Sequence, residues 1–348
     1  MLQKTILILF LAIFLVSSGC TDSTEDLAGS VDEIATAAAE VSGAIEEIES
    51  ELNDLDKVNE PVVSIPSDID DMDNVGDTTA TPEFEGSASD AKDLRIGAFN
   101  IQVFGVTKAS KPDVMLVLAD IVRTYDIIAI QEIRDSSQTA LPELVDLVNS
   151  DGSQYNYVVS ERLGRTSSKE QYAYIYDSTT VAVTGTPETY PEPEGTDPFH
   201  RQPYISSFDA VEGDYDVVLM VIHTDPDEAT EEINALDDVL EYAQRSYPDE
   251  GDFVIMGDFN ADGNYFDEDS SSDIDGYFWL IDNSLDTTTK STDYTYDRIV
   301  LTDASDLSGE NGVFRYDLEY GLSEEMTVAV SDHYPVYMEV SSYGDSDL

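Results

Sequence analysis

Cysteine and basic residues are both scarce in this chain of 348 residues. Cys20 is the only cysteine, so no disulfide can form within the chain. Lys and Arg number 16 against 74 Asp and Glu, which gives a formal net charge of -58. Phosphate contacts usually need Lys and Arg, so composition alone argues against a nucleic-acid partner. Repulsion of this size is tolerable where salt shortens the Debye length, to about 3 Å at 1 M. We therefore predict a halophilic source.

The apolar run Ile6–Val16 is too short for a membrane-spanning helix. Lys4 precedes it and small residues lead to Cys20, so residues 1–20 are interpreted as a signal peptide. The end of this segment resembles a lipobox, in which Cys20 would be lipidated and become the mature N-terminus. Ordinary cleavage that leaves a free thiol is the alternative. We predict an exported, extracellular chain that a lipid anchors to the outer face of the cell membrane.

Residues 27–55 carry apolar side chains at alternating steps of four and three. This heptad pattern predicts an acidic helix or stalk over residues 21–56, through which the chain could form a homo-oligomer. An amphipathic helix on the domain surface is the alternative, because the flanking charges are almost all acidic. Residues 57–90 are rich in Asp, Ser, Thr and Pro, which predicts a disordered acidic linker. The catalytic domain is expected over residues 91–348.

Beyond the linker, β-type runs alternate with helical ones. Strands are predicted at residues 94–101, 126–133, 171–176, 216–223, 252–259, 296–302 and 336–340, and helices at 113–124 and 228–246. Most of these strands end in polar residues, where α/β and sandwich enzymes place their chemistry. The chain has no glycine-rich phosphate-binding loop.

Two of the three histidines follow apolar strand-like runs, His223 in VIHTD and His333 in SDHYP. One histidine in such a place is usually structural, but two raise the prospect of a paired acid and base. Phosphodiester hydrolysis needs a base to activate water, an acid for the leaving oxygen and cations for the phosphoryl charge. Oxygen ligands for Mg²⁺ or Mn²⁺ stand at several strand ends, at Asn100, Glu132, Asp258, Asn260 and Asp332.

Several segments resemble the deoxyribonuclease I family, in the same order, over residues 94–341. They are AFNIQVFG, YDIIAIQEIRDSS, YVVSERLGRTSSKEQY, DFVIMGDFNADGNY, YDRIV, and YGLSEEM followed by SDHYPV. The resemblance implies an α/β (α+β) four-layer sandwich, in which two packed mixed β-sheets are flanked by helices. It also implies a metal-dependent endonuclease that cuts double-stranded DNA at the P–O3′ bond and leaves 5′-phosphate ends.

The resemblance also implies a role for each matching residue. His223 would pair with Glu170 and His333 with Asp297. We assign activation of water to His333 and protonation of the leaving oxygen to His223, a choice made by convention. The positions expected to hold the metal and the scissile phosphate are Asn100, Glu132, Asp258, Asn260 and Asp332. The positions expected to contact DNA are Arg134, Arg165, Arg201, Tyr265 and Tyr296.

Three further expectations concern calcium and a histidine. DTTTKST resembles the family's structural calcium loop, with matches at Asp286, Thr288 and Thr292. The segment DFNADG satisfies the start of an EF-hand loop, but a strand leads into it, so we interpret that match as accidental. His200 has no counterpart in the family and is predicted to be structural or exposed.

Departures from the family pattern weaken the expected DNA contacts. Ser168 stands where the family has a tyrosine, and Gln102 where it has an arginine. The family's two disulfides are absent, and Gly263 and Asp293 stand at the positions of the longer one. Two alternatives therefore stay open. One is a phosphodiesterase of the wider endonuclease, exonuclease and phosphatase superfamily with a non-DNA substrate. The other is a lipid-anchored binding protein with a vestigial enzyme domain.

Overall fold

The computed structural model describes residues 93–267 and 271–345, which belong to one unit, Phe84–Leu348. The predicted signal peptide, Cys20, heptad segment and linker lie outside the described residues. Within the described ranges, no helix has the length and apolar character needed to cross a membrane.

Strands and helices are numbered here in chain order. The strands are β1 (Asp93–Phe104), β2 (Ile127–Ile133), β3 (Tyr155–Val159), β4 (Gln171–Asp177), β5 (Val181–Thr189), β6 (Tyr204–Ala210), β7 (Asp216–His223), β8 (Phe253–Asp258), β9 (Phe278–Trp279), β10 (Asp297–Leu301), β11 (Leu307–Val313) and β12 (Val336–Ser341). The α-helices are α1 (Val106–Ala109), α2 (Pro112–Val122), α3 (Ala140–Val148), α4 (Ala229–Asn234), α5 (Leu236–Ser246), α6 (Tyr316–Glu319) and α7 (Glu324–Val330), and a 3₁₀ turn spans Asn149–Asp151.

These strands form two six-stranded sheets with the orders β11-β12-β1-β2-β4-β3 and β5-β6-β7-β8-β10-β9. Each sheet has a parallel pair at its centre, β1 with β2 and β7 with β8, and the other pairs are antiparallel. Parallel neighbours end at the same edge of a sheet. Each of the two sheets therefore brings the ends of its two central strands together.

The side chains of the central strands alternate between two apolar layers, as the two-residue repeat of a strand requires. In β1, Ile96 and Ala98 enter the core between the sheets, whereas Phe99 and Ile101 pack on the other side with α2 and α3. The strands of the second sheet also place alternate side chains in the core between the sheets and on the outer face, which α5 covers. The result is the predicted four-layer sandwich of two mixed sheets between helices.

The predicted strands all form, but the predicted helix over residues 228–246 divides into α4 and α5. Ala235 lies between the two helices, and its N–H donates to the carbonyls of Glu231 and Glu232. No proline or glycine marks the break, so the sequence gives no sign of it. The helix α3 was not predicted, although Leu141, Leu144 and Val148 lie buried on one face at helical spacing.

Candidate active site

The central strands of both sheets deliver polar side chains to one edge of the sandwich. Asn100 lies in β1, Glu132 in β2, His223 at the end of β7 and Asp258 at the end of β8. His223 is in register with Asp258, and Asp258 with Asp297 of β10. The edge beyond the carboxyl ends of parallel strands is where α/β sheets bind ligands.

A cleft of about 370 Å³ opens at this edge. The predicted site residues that line it are Glu132, Arg134, Glu170, Arg201, His223, Asp258, Asn260 and His333. Thr166, His200, Asp225 and Pro226 also line the cleft, although the sequence did not assign them to it. His200, which was predicted to be structural or exposed, is partly buried and lies in the wall of the cleft.

Two histidine–carboxylate pairs converge inside the cleft. His223 Nδ1 lies 2.9 Å from a Glu170 oxygen, and His333 Nδ1 lies 2.8 Å from an Asp297 oxygen. The Nε2 atoms of the two histidines lie 3.5 and 3.6 Å from the same oxygen of Asp258. A carboxylate at Nδ1 fixes the tautomer and leaves Nε2 for chemistry. The two rings thus present their reactive nitrogen atoms to one small volume.

Charges around the first pair favour its ionised form. Burial alone would raise the pKa of Glu170, but the hydrogen bond from His223 and the charges of His223, Arg201 and Arg134 lower it to about 2. Burial and the charge of Arg201 lower the pKa of His223, whereas Glu170 and Asp258 raise it, and the net direction is upward. These charges therefore keep Glu170 ionised beside the His223 ring.

The second pair lacks an opposing arginine among the strongest influences on it. Burial lowers the pKa of His333, but the carboxylates of Asp297, Asp258 and Asp332 raise it to about 10. In turn, burial raises the pKa of Asp258, and the charges of His333 and His223 lower it below its ordinary value. His333 is consequently the ring that holds its proton more firmly in this arrangement of charges.

The oxygen atoms beside the histidines fit a hard divalent cation. The amide nitrogen of Asn100 donates to Asp258 at 2.9 Å and to Glu132 at 3.3 Å, so three predicted ligands lie in direct contact. The Asn100 amide oxygen is buried and has no hydrogen-bond partner. A buried, unpartnered oxygen beside two carboxylates matches the oxygen ligands that Mg²⁺ and Mn²⁺ prefer. Asn260 joins them through its N–H, 3.0 Å from Asp258.

Asp332 is the predicted metal ligand at the margin of the site, where one of its carboxylate oxygens lies 3.9 Å from His333 Nε2. Its carboxylate accepts hydrogen bonds from Gln102 at 2.6 Å and from the Lys290 ammonium at 2.9 Å, and it does not line the cleft. Gln102 is a predicted departure from the family pattern, and Lys290 lies in the predicted calcium loop DTTTKST. The two residues therefore bind one carboxylate at the margin of the site.

The predicted DNA-contacting arginines differ in their surroundings. Arg134 is partly exposed in the cleft and pairs with Glu170 at 2.8 Å and Glu132 at 3.1 Å. Arg201 is buried in the wall, where its guanidinium donates to the carbonyl oxygens of His223 and Thr224. Arg165 forms ion pairs with Asp197 and Glu228 and does not line the cleft.

A row of tyrosines leads away from His333. The ring centroids of Tyr296 and His333 are 6.2 Å apart, and the exposed Tyr265 lies 5.7 Å from Tyr296. Tyr294 stacks on Tyr296 at 5.1 Å. A Cβ at Gly263 would lie 3.0 Å from the Tyr294 ring, so Tyr294 is the residue that faces Gly263.

The predicted calcium loop is closed by its own hydrogen bonds. Asp286 accepts from the N–H and hydroxyl of Thr288, and the Thr288 hydroxyl donates to the carbonyl of Thr292. Thr288 also forms a β-bridge with His333. The loop thus supports the strand segment that carries a catalytic candidate. Calcium binding there stays a prediction.

Backbone strain is concentrated at the site. Glu132 (φ 60), Asn260 (φ 47) and Val103 (φ 52) have positive φ angles, and the N–H of Val103 donates to Glu132 at 2.8 Å. Such conformations cost on the order of 1–3 kcal/mol and persist where the surrounding structure imposes them. No sequence pattern indicated this strain, because it depends on packing around the strand ends.

The fold and the paired histidines define the class of protein. Residues 97–333 match the model of the endonuclease/exonuclease/phosphatase family, to which the chain belongs. Within that family it is a member of the deoxyribonuclease I branch. It is 40% identical over 259 residues to deoxyribonuclease-1 of Bos taurus, covering 70% of this chain and 90% of that protein. It is 36% identical over 267 residues to deoxyribonuclease gamma of Mus musculus, covering 72% and 85%.

A solved structure agrees with the fold. The catalytic domain of human Nocturnin aligns with a TM-score of 0.50 at 15% identity, over 72% of this chain and 94% of that domain. At this identity the likeness concerns the fold alone. It confirms the predicted architecture of two packed sheets flanked by helices.

Proposed function

We propose that this chain is an exported, divalent-metal-dependent endonuclease that hydrolyses DNA to 5′-phosphate ends. The observation that carries the proposal is the convergence of the His223 and His333 Nε2 atoms beside Asp258, at 3.5 and 3.6 Å. The relatives at 36–40% identity are deoxyribonucleases, which supports DNA as the substrate. Both histidine–carboxylate pairs are intact, which argues against a vestigial domain.

The scissile phosphate is proposed to lie between the two Nε2 atoms. One histidine takes a proton from water as the oxygen of that water bonds to phosphorus. The P–O3′ bond then breaks, and the other histidine gives its proton to the departing O3′. Because three carboxylates raise the pKa of His333 to about 10, we assign His333 as the proton donor. The net pKa shift of His223 is also upward, but there the charge of Arg201 opposes the carboxylates, so we propose His223 as the base. This reverses the assignment made by convention from the sequence.

The carboxylates explain why a cation is needed. Asp258 and Glu132 face the volume that the anionic phosphate must enter, and they would repel it. A divalent cation held by Asn100, Glu132 and Asp258 would supply positive charge for the pentacoordinate phosphate. These residues also hold one another in place through the Asn100 amide. We expect chelation to abolish cutting and Mg²⁺ or Mn²⁺ to restore it.

Export and lipid anchoring are proposed from residues 1–20 alone. The short apolar run and the lipobox-like end at Cys20 support them. The heptad segment and the structural calcium at Asp286, Thr288 and Thr292 likewise stay proposals.

Plasmid nicking by the full chain, with Mg²⁺ or Mn²⁺ and over a range of KCl, tests the proposed function. We expect His333→Ala and His223→Ala each to lower the rate by at least about 100-fold, the usual contribution of a general acid or base. Asp249→Asn changes an exposed carboxylate and serves as the control, which should cut like the parent. A folded parent that spares DNA at every salt concentration but cleaves another phosphodiester would overturn DNA as the substrate.

A further inference from the structure

A third histidine–carboxylate pair lies in the wall of the cleft. His200 Nδ1 is 3.4 Å from an Asp225 oxygen, and both residues line the cleft that holds His223 and His333. The His200 side chain is 12% exposed, so it reaches the cleft without projecting into open solvent. The proposed mechanism uses neither residue.

Glu232 fixes both members of this pair. A single oxygen of its buried carboxyl accepts hydrogen bonds from the backbone N–H of His200 at 3.1 Å and from the backbone N–H of Asp225 at 3.2 Å. His200 and Asp225 come from separate loops, and α4 carries Glu232 beneath them. Glu232 therefore orders the backbone at both residues, and the contact between His200 Nδ1 and Asp225 orients the imidazole ring. A group ordered in this way loses less entropy on binding.

The pair lies beside His223 rather than between the two catalytic rings. Asp225 follows His223 by two residues, and Arg201, next to His200, donates to the carbonyl of His223. The scissile phosphate is placed where the Nε2 atoms of His223 and His333 converge. A group in the wall beyond His223 would therefore meet the neighbouring phosphate of a polynucleotide.

Among the described residues, the arginines that line the cleft already have partners. Arg134 pairs with Glu132 and Glu170, and Arg201 donates to the carbonyl oxygens of His223 and Thr224. Arg165 pairs with acidic side chains outside the cleft lining. In a charged imidazole both ring nitrogens donate, so Asp225 can accept from Nδ1 while Nε2 remains for an anion. A hydrogen bond from a charged donor to a phosphate oxygen is among the stronger ones.

We propose that His200, oriented by Asp225, binds the DNA phosphate that neighbours the scissile one. The inference rests on the proposed deoxyribonuclease activity. It makes His200 a substrate-binding residue, and it makes Asp225 and Glu232 positioning residues. A substrate that has only one phosphate should gain little from this pair.

The test compares duplex DNA with bis(p-nitrophenyl) phosphate, which has one phosphodiester and no neighbouring phosphate. Steady-state kinetics are measured for the parent, His200→Ala, His200→Lys and Asp225→Asn, with Asp249→Asn as the control. For His200→Ala we expect KM for DNA to rise about tenfold, in line with the loss of one charge-assisted hydrogen bond. The loss in kcat/KM should be about that much larger for DNA than for the one-phosphate substrate.

The salt dependence of kcat/KM gives a second measurement, and substituting His200 should leave it unchanged if His200 has only a structural role. Each phosphate neutralised in B-DNA contributes about -0.9 to the slope of log affinity against log salt. The slope of log kcat/KM for DNA should therefore become less negative by about 0.9 in His200→Ala, and His200→Lys should retain the parental slope. Asp225→Asn should fall between the parent and His200→Ala.

The possible results separate this inference from the proposed function. If the parent cuts DNA, His200→Ala could lower kcat/KM equally for both substrates or leave the salt slope unchanged. Either result would refute the proposed role of His200 and leave the proposed function standing. A parent that does not cut DNA would refute the proposed function, and the inference would fall with it. Because His200→Lys and Asp225→Asn alter the same contact in milder ways, the result does not depend on how well His200→Ala folds.

Discussion

Glu170 shows how one buried carboxylate organises several parts of the site. One of its oxygens orients the His223 ring, and the other lies 2.8 Å from Arg134 and 3.6 Å from Arg201. A β-bridge to Leu163 holds its backbone. The favourable charges outweigh burial and lower its pKa to about 2, well under its ordinary value of 4.5. Folding therefore favours the ionised form of the Glu170 carboxyl.

This difference in pKa predicts how stability changes in acid. A carboxyl whose pKa is lowered on folding stabilises the protein above its unfolded pKa, 4.5, and that contribution is lost as pH falls through about 2. Between about pH 5 and about pH 2 the parent should lose about 3 kcal/mol more free energy of unfolding than Glu170→Gln. Urea denaturation across this pH range measures it.

The exposed Glu161 offers a matched control for that experiment. Glu161→Gln should follow the parental pH dependence, because its side chain is not buried in the ion-pair network. If Glu170→Gln also lost stability in acid as steeply as the parent, Glu170 would not be the carboxylate responsible.

The contacts of His223 with Glu170 and of His333 with Asp297 could be predicted from the sequence, whereas the contact of His200 with Asp225 could not. His223 and His333 stand in contiguous motifs at strand ends, and so do their carboxylate partners. His200 and Asp225 are 25 positions apart with no shared motif, and their backbone N–H groups meet at the buried carboxyl of Glu232. Likewise, only folding shows that Lys290 and Gln102 both bind Asp332.

Among the elements, position within a sheet decided which strands could be predicted. The predicted strands all lie in the sheet interiors, where each strand has a neighbour on both sides and most strands are buried on both faces. β3, β5, β9 and β11 were not predicted, and all four are edge strands. β11 is mostly exposed and contains two glycines. β6 is an interior strand that was also not predicted, because the buried Ser206 and Ser207 interrupt its apolar pattern.

The backbone conformation and close packing at position 257 in β8 allow only glycine. Gly257 lies in β8 with φ 132, and a Cβ there would come within 2.1 Å of the Ile222 carbonyl oxygen in β7. Gly257→Ala should therefore strain the central parallel pair and lower the free energy of unfolding by at least about 2 kcal/mol. It should also impair cutting, because Asp258 follows directly. Urea unfolding and plasmid nicking measure the two effects.

Gly276→Ala is the control for this substitution. No atom lies within 4 Å of a Cβ built at Gly276. Its unfolding midpoint should stay near that of the parent. Equal stability of Gly257→Ala and Gly276→Ala would show that the β7 to β8 contact tolerates a side chain.

At the scale of the whole molecule, the charge that opposes DNA binding also opposes folding. A net charge of -58 repels the phosphate backbone and repels itself within the folded chain. Salt screens both effects, but it also weakens each direct contact between a cation and a phosphate. A divalent cation at the proposed ligands Asn100, Glu132 and Asp258 would be less affected by screening, because these side chains are buried. In concentrated salt, the acidic surface would therefore still allow DNA to bind through a cation at the proposed buried ligands.

This balance predicts that salt stabilises the protein. Raising KCl from about 0.1 M to about 1 M shortens the Debye length from about 10 Å to about 3 Å, which removes most of the repulsion between surface carboxylates. The thermal unfolding midpoint should rise over this range. A variant in which the exposed Glu212, Glu231 and Asp249 become Gln, Gln and Asn should be more stable than the parent in dilute buffer and should gain less from KCl. An unfolding midpoint that stays flat or falls with KCl would show that self-repulsion does not limit this fold.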